Sequence, residues 1–216
     1  MGSDGRSKVV TSTVTIQASA RFTAIGDALR AYSLRHLTAA KYFAEQLTKH
    51  EAAYDGFGFG EHFETCTWYG TAAIILSFSA VEAAINEAEV ELKLPDELIE
   101  ALERSPAIKH AQAILAYQRC TSFDRGSTPM QRLQLLCDMR NRLVHPKAEL
   151  DSQNLTRAKL SKKIVAARLP RSPFQRDPKL AFPDGCMSAG TAMWSWSTAR
   201  TFIQDFRSQL ALPKTA

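Results

Sequence analysis

Residues 63–92, FETCTWYGTAAIILSFSAVEAAINEAEVEL, decide the fold class. Ile74, Phe78, Val81, Ile85, Ala88 and Leu92 recur at alternating steps of four and three. That period places them on one continuous stripe of an α-helix, and the 4–3 alternation suits packing in a bundle. In a bundle, other helices must cover that stripe.

The flanking sequence supplies them. Upstream, Phe22, Ile25, Leu29 and Tyr32, then Leu34, Leu37, Ala40, Phe43 and Leu47, predict helix over about 20–54, ended by Asp55-Gly-Phe-Gly-Phe-Gly60. Residues 8–18 alternate β-branched side chains and predict a short strand or extended arm. Downstream, Pro95 opens a short acidic helix to about Glu103, and Ile108, Ala111, Ile114 and Leu115 mark another over about 107–120. Thr128 is placed to cap the next helix, with Pro129 at its first position and Gln131 completing a capping box, and Pro146 ends it. Its apolar positions are Leu133, Leu136, Cys137, Leu143 and Val144. A short helix is expected over about 155–167. A last one, over about 189–210, carries Ala192, Trp196, Ala199, Ile203, Phe206 and Leu210. The expected fold is all-α: an N-terminal arm (1–19), a bundle (20–147), and a basic connection with a C-terminal helix packed on the bundle (148–216). Four or five main helices form it.

Composition narrows the function classes. Cys66, Cys120, Cys137 and Cys186 are scattered without a Cys-x-x-Cys pair, the usage of reduced thiols rather than a secreted disulfide scaffold. No basic segment precedes an apolar run as in a secretory leader. The longest apolar run, 71–85, is broken by Ser77, Ser79 and Glu82, against the about 20 apolar residues a membrane span needs. A cytoplasmic protein is expected. Its net charge of +5 hides an asymmetry: residues 51–103 hold 12 acids and one base, whereas 104–216 hold 19 bases and 7 acids. Either the basic half meets a polyanion, or the two halves pack on each other within the chain or across a dimer.

The stretch Cys137-Asp-Met-Arg140-Asn141-Arg142-Leu-Val-His145-Pro146-Lys147 carries the chemistry. Arg140 falls among apolar positions, so its guanidinium requires an anion or hydrogen-bond acceptors. Asn141 and His145 are four apart and share a face. Arg140 and His145 are about 140° apart and converge only through the long arginine side chain at the helix end. An imidazole can take the proton of a ribose 2′-hydroxyl, and a guanidinium can stabilise charge building on the phosphate; no metal or cofactor is required. Glu82, set in an apolar run, is expected to have a cationic partner, Arg140 first and Arg142 second.

Arg140-Asn141-x-x-x-His145 resembles the Arg-to-His motif of HEPN domains (higher eukaryotes and prokaryotes nucleotide-binding), in the form with a polar residue after the arginine. The helix carrying Ser79, Glu82 and Asn86 is similar to the long helix of that family, and the resemblance covers about 20–147. It implies a helical bundle that dimerises, bringing two copies of Arg140, Asn141 and His145 into one cleft. Its activity would be that of a metal-independent endoribonuclease or RNA-binding protein in a defence or toxin–antitoxin setting, with an antitoxin as a further partner. It implies equally a non-catalytic scaffold or partner-binding module. Lys147 stands where toxin-type versions carry a tyrosine two residues after the histidine.

Arg30…His36 and Arg104…His110 have comparable spacing, but the first lies mid-helix and the second spans the break at Ser105-Pro106. Lys147, Lys159, Lys162 and Lys163, in a basic run with Arg157, Arg168, Arg171, Arg176 and Lys179, are candidate phosphate contacts or a solvated face complementing the acids of 87–103. His62-x-Glu64 lacks the Pro-Cys-x-x-Cys of zinc deaminases, so no metal is expected. Gly56, Gly58 and Gly60 lack the Lys-Ser/Thr of a phosphate loop. Trp194 could stack on a base; Trp196 fits the core stripe.

Overall fold

The computed structural model describes residues 31–54, 60–145, 155–174 and 182–212, and the fold is all-α. Among these residues there are seven α-helices and no strand: α1 Tyr32–Ala52, α2 Gly60–Glu91, α3 Asp96–Leu102, α4 Ala107–Tyr117, α5 Thr128–Val144, α6 Leu155–Ala166 and α7 Ala189–Gln209. The strand expected over 8–18, the helix expected over 20–30, and Lys147 lie outside the described residues.

α2 is the central helix. Ile74, Phe78, Val81, Ile85 and Ala88 are all buried, as the stripe requires, and so are Ala73, Ala80 and Ala84. The alanines bury a second face and let neighbouring backbones approach. α1 packs along one side of α2 and α7 along another, while α1 and α7 also touch; α5 and α4 close the remaining sides, and α6 rests on α5. Ser33 meets Glu87 and His50 meets Tyr69, so α1 runs antiparallel to α2. Arg207 meets Glu91 and Thr71 meets Met187, so α7 runs parallel to α2. The stretch Glu61–Glu91 proves long and apolar enough to cross a membrane, with mean hydropathy 1.4 over its most apolar window. The helix extends well beyond the run 71–85, and in this fold it serves as the core of the bundle.

A few acids of α2 meet basic residues of the second half within the chain. Glu82 pairs with Arg140, Glu89 with His110, and Glu91 with Arg207. All four cysteines are free thiols, and burial pushes the Cys66 thiol up to about 11.

α5 starts as expected, but its cap differs. Ser127 is the N-cap, and its hydroxyl donates to the Asp124 carbonyl at 2.6 Å rather than accepting from the helix. Gln131 donates to the Gly126 carbonyl at 2.9 Å instead of closing a capping box. Asp124 also accepts from the Gly126 N–H, so the preceding turn has taken the groups a box would use. Val144, expected inward, is exposed because α5 has passed the edge of the core by its last turn. Trp196 is only half-buried, lying on the core edge with Lys41 and Arg200 against its ring.

The segment after α6 is locked onto the start of α7. The Pro170 carbonyl accepts from the Ser188 and Thr191 hydroxyls at 2.7 and 2.8 Å. A Cβ on Gly190 would lie 2.5 Å from two carbons of the Pro170 ring. Gly190→Ala should therefore lower stability by about 1–3 kcal/mol as the proline is forced away. An unchanged midpoint in thermal unfolding would show that this contact yields freely.

Candidate functional site

α5 brings the motif to the mouth of a cleft of about 810 Å³. One wall is α5, from Cys137 to its end. Phe78 and Glu82 of α2 form the back, residues 103–107 one side, and Lys159, Leu160 and Lys163 of α6 the other. Arg140, Asn141, Arg142 and His145 all line it.

Arg140 is held from three directions. Its Nη2 donates to Glu82 Oε2 at 2.8 Å, its Nη1 donates to Asn141 Oδ1 at 3.0 Å, and the guanidinium lies over the Phe78 ring at 5.7 Å. The pair expected from the sequence is thus present, with Arg140 rather than Arg142. The Arg140 side chain is 20% exposed and that of Glu82 35%, so the pair sits at the cleft floor with solvent on one side. Arg140 Nε is buried and has no hydrogen-bond partner among the described residues. Breaking the pair should strand a half-buried ion. Glu82→Gln should cost about 1–2 kcal/mol, less than the roughly 3–5 kcal/mol of a fully buried pair. Thermal unfolding at wild-type temperature would mean that the pair contributes nothing to the fold.

His145 ends α5 as its C-cap, with φ −120 and ψ 63; its N–H donates to the Asn141 carbonyl at 2.9 Å. Its side chain is exposed, and so is that of Asn141. The imidazole therefore faces solvent at the cleft mouth, while Arg140 sits deeper. Asn141 does two jobs: its Oδ1 orients Arg140, and its Nδ2 donates to Cys137 Sγ at 3.5 Å. The Cys137 thiol is pushed up to about 11, first by burial and then by Asp138 and Glu82, with Arg140 and the Asn141 hydrogen bond opposing. It is a neutral thiol at ordinary pH and no nucleophile.

Of the other candidates, Lys159 and Lys163 line the cleft, and Lys163 is paired with Asp138 at 2.6 Å. Lys162 is exposed on α6 and is not among the lining residues. Arg104, set aside because a helix break follows it, lines the cleft, and the break at Ser105-Pro106 lines it too. His110, its supposed partner, is buried instead and meets Glu89 at 2.6 Å. No spacing rule could have separated these two residues, because they leave the same break in opposite directions. Counting His145 apart, five bases face three acids around the cleft, and two of those acids, Glu82 and Asp138, are already paired. Among the described residues no three His, Cys, Asp or Glu side chains are placed to share a metal ion. The chain matches no family model, no curated protein and no solved structure, so the reading of this cleft rests on its own residues and their geometry.

Proposed function

We propose that the cleft is the centre of a HEPN-like, metal-independent endoribonuclease that acts as a homodimer in the cytoplasm, in a defence or toxin–antitoxin setting. The observation that carries this reading is the meeting of an exposed imidazole, an oriented guanidinium and an excess of cations in one cleft. The ribose 2′-oxygen attacks the adjacent phosphorus while its proton passes to His145. Charge on the phosphate is met by Arg140 and Arg142, with Lys159 and Lys163 tracking the flanking backbone. The bond from phosphorus to the 5′-oxygen breaks, leaving a 2′,3′-cyclic phosphate, and the departing 5′-oxygen takes a proton from His145 of a second copy.

The second copy has a surface to use. Trp68, Ala72, Ile75, Leu76, Ala83 and Val90 follow one face of α2; Trp68 is 65% exposed, Val90 is exposed, and the others are half-buried. This stripe runs beside Glu82, so pairing through it would bring two clefts near one axis. Light scattering should show a dimer at micromolar concentration; a monomer would remove the source of the general acid.

Incubation with single-stranded RNA in EDTA tests the chemistry. The expected products carry 2′,3′-cyclic phosphate and 5′-hydroxyl ends, and intact RNA after prolonged incubation would overturn the reading. That outcome would favour a second one, a non-catalytic HEPN-like module that binds a protein partner. The observation on its side is the engagement of Arg140 by Glu82, which offsets the charge a phosphate would need.

A further inference from the structure

Beside the motif cleft, and sharing Pro106, Cys137 and Lys163 with it, lies a larger groove of about 960 Å³. It runs between the first half of α5, the start of α4 and the turn that follows α6. Its floor is Ile108, Met130, Leu135, Leu169 and Trp194. Five cations stand around it: Lys109 from α4, Arg125 from the connection to α5, Arg132 from α5, Lys163 from α6 and Arg168 from the turn beyond. Among the described residues no carboxylate lines it.

Three of these cations have partners of their own. Arg125 donates to Gln112 at 2.8 Å, Arg132 lies over the Trp194 ring at 5.6 Å, and Lys163 reaches the other way to Asp138. Only the last of these partners is an anion.

Size, chemistry and charge distribution together select the occupant. Thr128 to Cys137 runs about 14 Å along α5, the rise of a helix of about ten residues. The floor is mainly aliphatic, and Arg132 covers its one aromatic ring, so it offers a poor stacking platform for bases. A ligand with a single anionic head would meet one or two of five cations placed on five separate elements. A helix with aliphatic side chains at i, i+3, i+4 and i+7 and carboxylates along both edges would meet the floor and the whole rim. We infer that this groove takes an acidic amphipathic helix of a protein partner, and the inference does not depend on the cleft being a ribonuclease centre.

The test uses the full chain and a fluorescent, side-chain-stapled peptide of about three to four turns, with leucines on one face and glutamates on both flanks. Anisotropy should report saturable binding in the micromolar range. Replacing the glutamates by glutamine should weaken it about tenfold or more, and so should Arg132→Glu with Arg168→Glu. Both arginines are exposed, so circular dichroism should show an intact fold. His145→Ala should leave peptide binding unchanged. Three results would overturn the inference: no saturation by about 1 mM, equal binding of the glutamine peptide, or retained peptide binding in the double variant. Loss of oligouridylate binding in that variant, with peptide binding retained, would assign the groove to nucleic acid instead.

Discussion

Arg207→Ala should cost about 3–5 kcal/mol and lower the unfolding midpoint by about 10 °C. Arg207 is 4% exposed on α7, yet its Nη2 lies 2.8 Å from Glu91 and its Nη1 4.0 Å from Glu87. Glu87 is buried too, and accepts from the Ser33 N–H and hydroxyl at 2.8 and 2.6 Å. One guanidinium thus ties together the start of α1, the end of α2 and the end of α7. Removing it leaves two carboxylates one helical turn apart, one of them buried, without their shared cation. Water cannot replace it without opening the helix junction. Relieving the charge should restore much of the loss, so Arg207→Met combined with Glu87→Gln and Glu91→Gln should melt well above Arg207→Ala. Thermal denaturation followed by circular dichroism decides the matter. A midpoint for Arg207→Ala within a degree or two of wild type would show that the network carries little of the stability.

The second large effect is on activity. His145→Ala should reduce RNA cleavage by about 10²–10⁴-fold, the contribution of a positioned general base. Its cost in stability should be about 0.5 kcal/mol or less, since the side chain is exposed and the helix ends there by its backbone, not its ring. Arg140→Ala should lose cleavage as well, but with a measurable fall in stability, because it strands Glu82 at the cleft floor and takes the guanidinium off the Phe78 ring. That contrast would separate a chemical role from a structural one: on the proposed reading His145 serves function without fold, and Arg140 serves both. Full cleavage by thoroughly purified His145→Ala protein would move the reaction to another site or another protein.

Some of this architecture is local and so could be read along the chain. The stripe of α2 is a matter of period, and every residue of it from Ile74 to Ala88 is buried. Proline, which cannot continue a helix, set the end of α5 at Val144 and placed His145 at its cap. The demand of Arg140 and Glu82 for partners was legible too, because an ion set among apolar neighbours must find its opposite. Other features depend on which helices become neighbours, and periodicity carries no information about that. Arg207 lies near the end of α7 with nothing in its spacing to mark it, and only the fold sets it between Glu87 and Glu91. His110 and Arg104 share one short segment, yet packing buried the first on Glu89 and turned the second into the cleft. The apolar floor of the larger groove comes from α4, α5, α7 and the turn after α6, so no single stretch of sequence contains it. Burial along a helix is dictated by its own spacing, whereas the pairing of buried charges and the shape of cavities are set by contacts between residues far apart in the chain.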